Sequence, residues 1–554
     1  MQSSDKELVQ FVVAAIVQQG IQKVILSPGS RNAPFAIAFD AHPQIETLVV
    51  HDERSAAFIA LGIAEQTQKP VALCCTSGSA CLNYYPALAE AYYRQIPILA
   101  LTADRPSKWI NQGDGQTIVQ AEVFKNHTHA YLGFDEESFV VDPTNKNTIQ
   151  HFLAHLSQPW KGPIHLNIGL NEPLYGLAPI QAFDLRSFSL PKNKLNKPDF
   201  QLIEGKKIMV LVGQMVTDPQ FERLLAQFAA FSNVVVLVEN TSNLQNELFN
   251  HCIDRSLIGI DVKDTAYQPE VLISFGGAIV SKRIKAYLRQ LTLDIHWRIA
   301  YDFPKMNTFG TLSAHFSVEP KQFTQALLEA QLNLQTTNFQ GKWKAIDYLA
   351  KDKQVAFETS SSAIFDYDIF NCLQQLINGP LHLHLANSSV VRYAQLFDPI
   401  SEVTYYCNRG TSGIDGSVST AVGAAIANPK EAHLLICGDT SFIYDSNALW
   451  TAPFPQNLKL ILIQNKGGGI FQIIPGPAQS PLREQYFEAS HQKSPGKVAE
   501  GFGFEVMYVS DKTELLIQID QFLEVKDTPQ IMEITTTQDL NAQVLLDFFN
   551  FVKN

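Results

Sequence analysis

No run of apolar residues in the sequence approaches the roughly 20 needed to cross a bilayer as a helix, so a helical membrane span is not expected. No CxxC pair occurs, and the seven cysteines (Cys74, Cys75, Cys81, Cys252, Cys372, Cys407, Cys437) are odd in number and lie mostly in apolar, strand-like runs. That pattern argues against zinc and against a disulfide framework, and for buried thiols in a reducing cytoplasm. Basic residues are scarce: 42 Lys and Arg against 54 Asp and Glu leave a net charge of −12. Such a balance disfavours non-specific nucleic-acid binding and makes any local cluster of arginines informative. The N-terminal stretch "MQSSDKELVQFVVAAIVQQG" lacks the basic start of a signal peptide and reads as an amphipathic helix. What remains is 554 residues with 46% hydrophobic and 17% charged side chains, the profile of a globular enzyme of about three domains.

Short β-branched runs alternate with helical patterns along the chain, which predicts α/β architecture with parallel sheets covered by helices. Polar stretches without clear periodicity, "LPKNKLNKPDF" (190–200) and "LQTTNFQGKW" (334–343), divide it into blocks of 1–185, 200–335 and 360–554. The first and third blocks march in step. One carries "SPGSR", "HDERS", "TSGSA" and "TADRP" at its strand ends, the other "NSSVVR", "NRGTSG", "GDTS" and "QNKGGG". Open α/β sheets bind ligands at the C-terminal ends of their strands, so two like blocks suggest two faces of one composite site. The middle block has strands of its own, and its "FGGAIVSKR" is too weak a signal for a nucleotide loop.

In "CGDTSFIYDSNALW" (437–450) an apolar strand ends on Gly438 and Asp439, then passes Thr440 and Ser441 into a helical pattern. A strand that turns into a helix start presents unpaired backbone N–H groups to an anion. Asp439 at that point suits a cation bridging it to a phosphate; the alternative is an ordinary N-cap. Asn465 stands 26 positions later, at the end of the next parallel strand "LKLILIQ", and so at the same sheet edge. The two side-chain oxygens and a backbone carbonyl beyond them would give hard ligands for an octahedral magnesium, with phosphate and water completing the shell. Glycines 467, 468 and 469 permit close approach of the backbone to a ligand.

This spacing of Gly-Asp-x-Ser and Asn-x-Gly-Gly resembles the metal–diphosphate motif of thiamine diphosphate enzymes. Thr440 and Gln464 depart from the usual pattern without removing a ligand oxygen, and Lys466 must point away from the metal. The resemblance implies three α/β domains: pyrimidine-binding (1–185), central (200–335) and diphosphate- and Mg-binding (360–554). It also implies a carboxyl group that exchanges a proton with the cofactor's aminopyrimidine ring, and "VVHDERSAAFIALGIA" resembles the segment that supplies it, with Glu53 in that role. Beside an apolar ring such a carboxyl has a raised pKa. On the residues alone, Glu53 reads as an acidic first-turn residue; His51 and Asp52 read as strand-end polar groups, and "FKNHTH" near His127 as a polar loop.

Arg31, Arg105, Arg392 and Arg409 fall at four strand ends, and Lys282-Arg283 lies in the middle block. Guanidinium forks pair bidentately with carboxylates, so four in register suggest a polycarboxylate substrate, against the alternative of surface ion pairs. "SPGSRNAP", "HDERSAAFIALG", "LTADRP", "GQTI", "FGGAIVSKR", "NSSVVR", "NRGTSGIDG", "GDTSFIYDSNAL" and "GGGIFQIIP" are similar, in order, to segments of the 2-succinyl-5-enolpyruvyl-6-hydroxy-3-cyclohexene-1-carboxylate synthases of menaquinone biosynthesis. That family decarboxylates 2-oxoglutarate and adds the succinyl carbanion to isochorismate. The resemblance implies thiamine diphosphate bound by Glu53, Ile414, Gly438, Asp439, Thr440, Ser441, Asn465 and Gly467. Asp439, Asn465 and the Gly467 carbonyl would hold Mg2+ or Mn2+, and Ile414 would be the apolar wedge that bends the cofactor. Ser30, Arg31, Arg105, Gln116, Lys282, Arg283, Ser388, Arg392, Arg409 and Phe471 would face the substrates. It further implies a cytoplasmic homodimer with shared active sites, which could pair into a dimer of dimers. A pyruvate decarboxylase or acetolactate-type carboligase would leave most of the arginines without work. A catalytically silent binding subunit would have no need of Glu53, Asp439 and Asn465 together.

Overall fold

The computed structural model describes residues 2–141, 144–157, 161–186, 188, 198–301, 305–359, 361–474, 476–524 and 529–553. Three parallel sheets dominate, as the alternating pattern requires. The first comprises β1 (Lys23–Leu26), β2 (Glu46–Val49), β3 (Val71–Cys75), β4 (Ile98–Asp104), β5 (Tyr131–Asp135) and β6 (Ile164–Gly169), in the order β2-β1-β3-β4-β6-β5. The second comprises β7 (Ile208–Val212), β8 (Val234–Val238), β9 (Val271–Phe275), β10 (Ile295–Ile299) and β11 (Ala314–Phe316), in the order β8-β7-β9-β10-β11. The third comprises β12 (Leu381–Leu385), β13 (Val403–Tyr406), β14 (His433–Gly438), β15 (Leu458–Gln464), β16 (Val506–Val509) and β17 (Gln530–Thr535), in the order β13-β12-β14-β15-β17-β16. The first and third sheets therefore share one topology, matching the repeated strand-end motifs.

Buried strands read as continuous apolar runs because helices cover both faces; Val71–Cys75, Ile208–Val212 and Val234–Val238 are buried at every position. The helices that position functional residues are α1 (Glu53–Thr67), α2 (Tyr85–Arg94), α3 (Lys282–Leu288), α4 (Phe339–Ala356), α5 (Ser417–Ala427) and α6 (Asp439–Tyr444). Of the first polar break, 190–197 lie outside the described residues. The second break differs from expectation: α4 begins inside it, with Phe339 and Trp343 buried, Trp343 packing on Tyr267, Tyr287 and Phe339. Two aromatic anchors suffice to seat this helix, although Lys and Gln blur its apolar stripe.

The chain forms two compact units. One joins residues 1–192 to 410–431 and 444–458; the other contains 193–409, 432–443 and 459–554. In the first unit α1 and α5 cross at closest approach through glycines. A Cβ at Gly62 would lie 2.9 Å from Ala424 N, and one at Gly423 2.8 Å from Ile59 C. The seven cysteines form no disulfide and six of them are buried.

Candidate active site

In the second unit, β14 runs out at Gly438 and Asp439 opens α6, 1% exposed. Its carboxylate accepts from Thr440 N (2.5 Å), Thr440 Oγ1 (3.1 Å) and Gly467 N (3.2 Å), and His491 Nε2 lies 3.8 Å away. Burial pushes this carboxyl above its ordinary value, opposed by His491 and the Thr440 donors. Asn465, at the end of β15, is 5% exposed, and its Oδ1 has no hydrogen-bond partner among the described residues. Its orientation is fixed from behind. Buried Asp366 accepts from the Asn465 side chain, from Thr536 Oγ1 (2.8 Å) and from Asn541 Nδ2 (2.9 Å).

A buried amide oxygen without a donor costs about 1–3 kcal/mol. Beside a buried carboxylate, it is the donor set that a hard cation satisfies. The residues therefore fit a metal-bridged diphosphate. Gly467, with φ 137°, carries the chain past this point, where a Cβ would lie 2.7 Å from Glu488 O. Lys466 is exposed, so its charge does turn outward. Gln464 bonds instead to Lys466 N (3.2 Å) and Lys493 O (2.6 Å), serving the loop rather than the cation.

In the first unit, Glu53 is the first residue of α1. Asp52 is its N-cap, accepting from Arg54 N (2.8 Å) and Ser55 N (3.1 Å), and Asn447 Nδ2 holds the other Asp52 oxygen at 2.6 Å. His51 stacks on Trp450 at 4.6 Å. Relieved of capping, the Glu53 carboxylate meets Asn83 Nδ2 at 3.3 Å. Its pKa is raised, first by partial burial and then by the charge of Asp52, against the lowering effect of its backbone hydrogen bond and of Asn83. A half-buried carboxyl raised in this way is suited to proton exchange. Ile414, 37% exposed, lies on a loop of the same unit between Gly410 and α5.

Three thiamine pyrophosphate enzyme models match the chain: the N-terminal TPP binding domain over residues 6–125, the middle domain over 186–360 and the C-terminal TPP binding domain over 388–534. Curated relatives named 2-succinyl-5-enolpyruvyl-6-hydroxy-3-cyclohexene-1-carboxylate synthase align over nearly the full length. The protein of Flavobacterium johnsoniae is 39% identical over 98% of this chain and 98% of its own. That of Flavobacterium psychrophilum is 40% identical over 98% of both, and that of Christiangramia forsetii 38% identical over all of both. The chain belongs to this synthase family. It is a thiamine diphosphate-dependent transferase with the three α/β domains of that class.

In the second unit the structure brings Lys282, Arg392 and Arg409 together, which sequence could not establish for the middle block. Arg392 is pushed down by burial and then by Arg409, and Lys282 by burial and then by Arg392. Arg392 Nε is buried without a partner among the described residues. Arg409 donates to Asn387 Oδ1 at 2.7 Å, next to Ser388, which holds φ 76°. Arg283 lies over the Phe549 ring at 4.2 Å, and Phe471 packs on Phe487 at 6.0 Å. Glu239, invisible as a site residue in the sequence, fixes the loop before Lys282 by accepting from Val280 N and Ser281 N, both at 2.7 Å. Burial raises that carboxyl to about 7.

In the first unit the arginines are held by carboxylates of the chain. Arg31 pairs with Glu172 (3.0 Å) and donates to Leu170 O (3.0 Å); Arg105 pairs with Asp114 (3.2 Å) and donates to Gly115 O (3.1 Å). Both carboxylates are substantially exposed, whereas Arg31 is buried. Arg105 lines a cleft of about 370 Å³ with Asp104, Gln120 and Asn167. Gln120, which sequence reasoning passed over, braces this region by accepting from Gly78 N (2.9 Å) and donating to Asn167 (2.8 Å). Ser30 and Gln116 are exposed, Gln116 with φ 56° beside Gly78. His127 packs among Tyr85, Tyr92 and Tyr93, consistent with a structural loop.

Proposed function

We propose that the chain decarboxylates 2-oxoglutarate and joins the resulting succinyl unit to isochorismate by conjugate addition, releasing CO2, in menaquinone biosynthesis. The observation that carries this reading is the cation cluster of the second unit. Burial, then the charges of neighbouring cations, presses Lys282, Lys285 and Arg392 down beside Arg409, and Glu239 and Asp254 are carboxylates that partly offset them. Cations held at mutual cost want an anionic ligand, and guanidinium groups match carboxylates in shape and charge. Two dicarboxylate substrates, which lose a single carboxylate in the reaction, supply enough negative charge; pyruvate would leave the cluster uncompensated.

When bound, thiamine diphosphate supplies the nucleophilic carbon and the electron sink for decarboxylation. Glu53 takes and returns the proton at the aminopyrimidine nitrogen, helped by its raised pKa. Asp439, Asn465 Oδ1 and the Gly467 carbonyl would hold Mg2+, or Mn2+, and Gly438, Thr440 and Ser441 would hold the diphosphate. Ile414 would be the apolar support for the cofactor. Arg31 and Arg105 exchange Glu172 and Asp114 for substrate carboxylates; Ser30, Gln116, Arg283, Ser388 and Phe471 complete the substrate side. We place the enzyme in the cytoplasm as a homodimer, with Glu53 of one protomer serving the metal corner of its partner, and with dimers able to pair further.

The test is CO2 release with Mg2+ and thiamine diphosphate, offering 2-oxoglutarate or pyruvate, with and without isochorismate. Turnover of 2-oxoglutarate stimulated by isochorismate is expected. Preference for pyruvate would point to a decarboxylase or acetolactate-type carboligase, and no turnover of either to a silent binding subunit.

A further inference from the structure

Glu90 sits in α2, outside every motif of the sequence, and is 1% exposed. A buried carboxylate must find donors or neutralise. Glu90 finds them on the loop that leads to Ile414: Gly410 N donates to one oxygen at 2.8 Å, while Thr411 N (2.6 Å) and Thr411 Oγ1 (2.9 Å) donate to the other. Two successive backbone amides on one carboxylate fix the course of the chain there, and charge-assisted bonds of this kind are roughly twice as strong as neutral ones. The approach is close enough to demand glycine, since a Cβ at Gly410 would lie 2.6 Å from Glu90 O.

The far end of the loop is pinned as well. Gly416 adopts φ 75° against the Phe58 ring of α1, where a side chain would collide. Immediately beyond, Asp445 accepts from Ser419 N and Ser419 Oγ, both at 2.7 Å, fixing the first turn of α5. Ile414 is thus presented, 37% exposed, from a short span held at both ends.

We propose that Glu90 is a positioning residue for the cofactor: its carboxylate latches residues 410–411 and so sets the height of Ile414 against the bent thiamine diphosphate. This rests on the reading of Ile414 as the wedge. Glu90 touches neither cofactor nor substrate and acts through the loop; its Oε1 also lies 3.7 Å from Arg94 Nε, whose guanidinium pairs with Glu65 of α1. Its loss loosens Ile414, misaligns the aminopyrimidine with the reacting carbon and leaves the diphosphate anchor in place.

The test compares Glu90→Gln, Thr411→Val and Ile414→Ala by three measurements. Amide hydrogen exchange over residues 408–416 is followed without cofactor; thiamine diphosphate affinity is measured by calorimetry with Mg2+; exchange of the bound cofactor's C2 proton is followed by NMR. Glu90→Gln is expected to speed amide exchange in the loop and to slow C2 exchange by about ten- to a hundredfold. Its cofactor affinity should change much less than that. Thr411→Val, which removes one exposed donor and leaves the buried carboxylate intact, should show the same split more weakly and covers the case in which Glu90→Gln does not fold. Slow C2 exchange in Ile414→Ala alongside normal exchange in the other two overturns the latch and leaves the wedge standing. Normal C2 exchange in Ile414→Ala overturns the wedge and the latch with it. A purely structural Glu90 would lower thermal stability and leave C2 exchange in the folded fraction unchanged, which also refutes the proposal.

Discussion

Replacing Gly62 with alanine puts a methyl group where α1 and α5 have no room for one. Its Cβ would lie 2.9 Å from Ala424 N and 3.0 Å from Thr420 C, both backbone atoms that cannot swing aside. The helices must separate instead, and overpacking of this kind costs about 3 kcal/mol at the upper end of its range. Alanine returns about 1 kcal/mol through its better helix propensity, leaving a net loss of about 2 kcal/mol. Gly423→Ala meets Ile59 C and Cα at 2.8 and 2.9 Å across the same crossing, so its loss is about the same. The double variant is the sharper case. One displacement makes space for both methyl groups while the propensity gain is counted twice, so it should lose only about 1–2 kcal/mol, against about 4 for independent sites. Urea midpoints at constant slope measure this, with Gly115→Ala as a control, since a Cβ there meets nothing within 4 Å. Additive losses, or two neutral single variants, would refute the argument. Glu53 begins α1 nine residues before Gly62, so both single variants should also slow cofactor activation.

Asp439→Ala should abolish Mg2+-dependent binding of thiamine diphosphate, because Asn465 alone offers no charge to hold the cation; unchanged affinity by calorimetry would sink the metal corner. Glu53→Gln should still bind cofactor yet exchange its C2 proton about 100- to 10,000-fold more slowly, and wild-type exchange would demote Glu53 to a helix-start residue. Refolding these two inactive chains together in equal amounts should restore about a quarter of wild-type activity, because each mixed dimer then has one intact shared site. A dead mixture with mixed dimers present excludes the shared site. Burial raises the Asp445 carboxyl to about 7, well above its unfolded value, so the folded protein binds this proton more tightly and loses stability as pH rises from about 4 to 7. Asp445→Asn lacks that slope; its stability relative to wild type, by urea unfolding at pH 5 and 8, should improve at the higher pH.

The shared placement of Asp439 and Asn465 was legible because one strand–helix–strand unit brings both to the same sheet edge, so spacing along the chain translates into proximity. Glu53 was legible for a related reason: a strand that ends on Asp-Glu-Arg-Ser names both the cap and the first helical carboxylate. Asp366 and Glu90 carry no such mark. Asp366 reaches Asn465 from a helix almost a hundred residues upstream, and Glu90 meets Gly410 across more than three hundred. Each reads in the sequence as an ordinary acidic residue of an amphipathic helix, and only tertiary packing turns it inward. The cations of the middle block were ambiguous for the same reason, since nothing local says which way Lys282 faces. At the arginines of the first block the sequence showed the forks but not Glu172 and Asp114, which hold them.

The shared topology of the first and third sheets explains how one architecture serves two chemistries. The turn after the second strand of each sheet leads to a helix that follows a functional segment: α1 begins on Glu53, and α5 is preceded by the loop bearing Ile414. These two helices are the pair that meets through Gly62 and Gly423. The turn after the third strand is the candidate anion site in the third sheet, Gly438 to Ser441, while its counterpart, Thr76 to Ala80, receives Arg31 N on Thr76 Oγ1 at 3.1 Å. The backbone fixes where a side chain can reach a ligand at a strand end, and the residue placed there decides whether that position exchanges a proton or binds a cation.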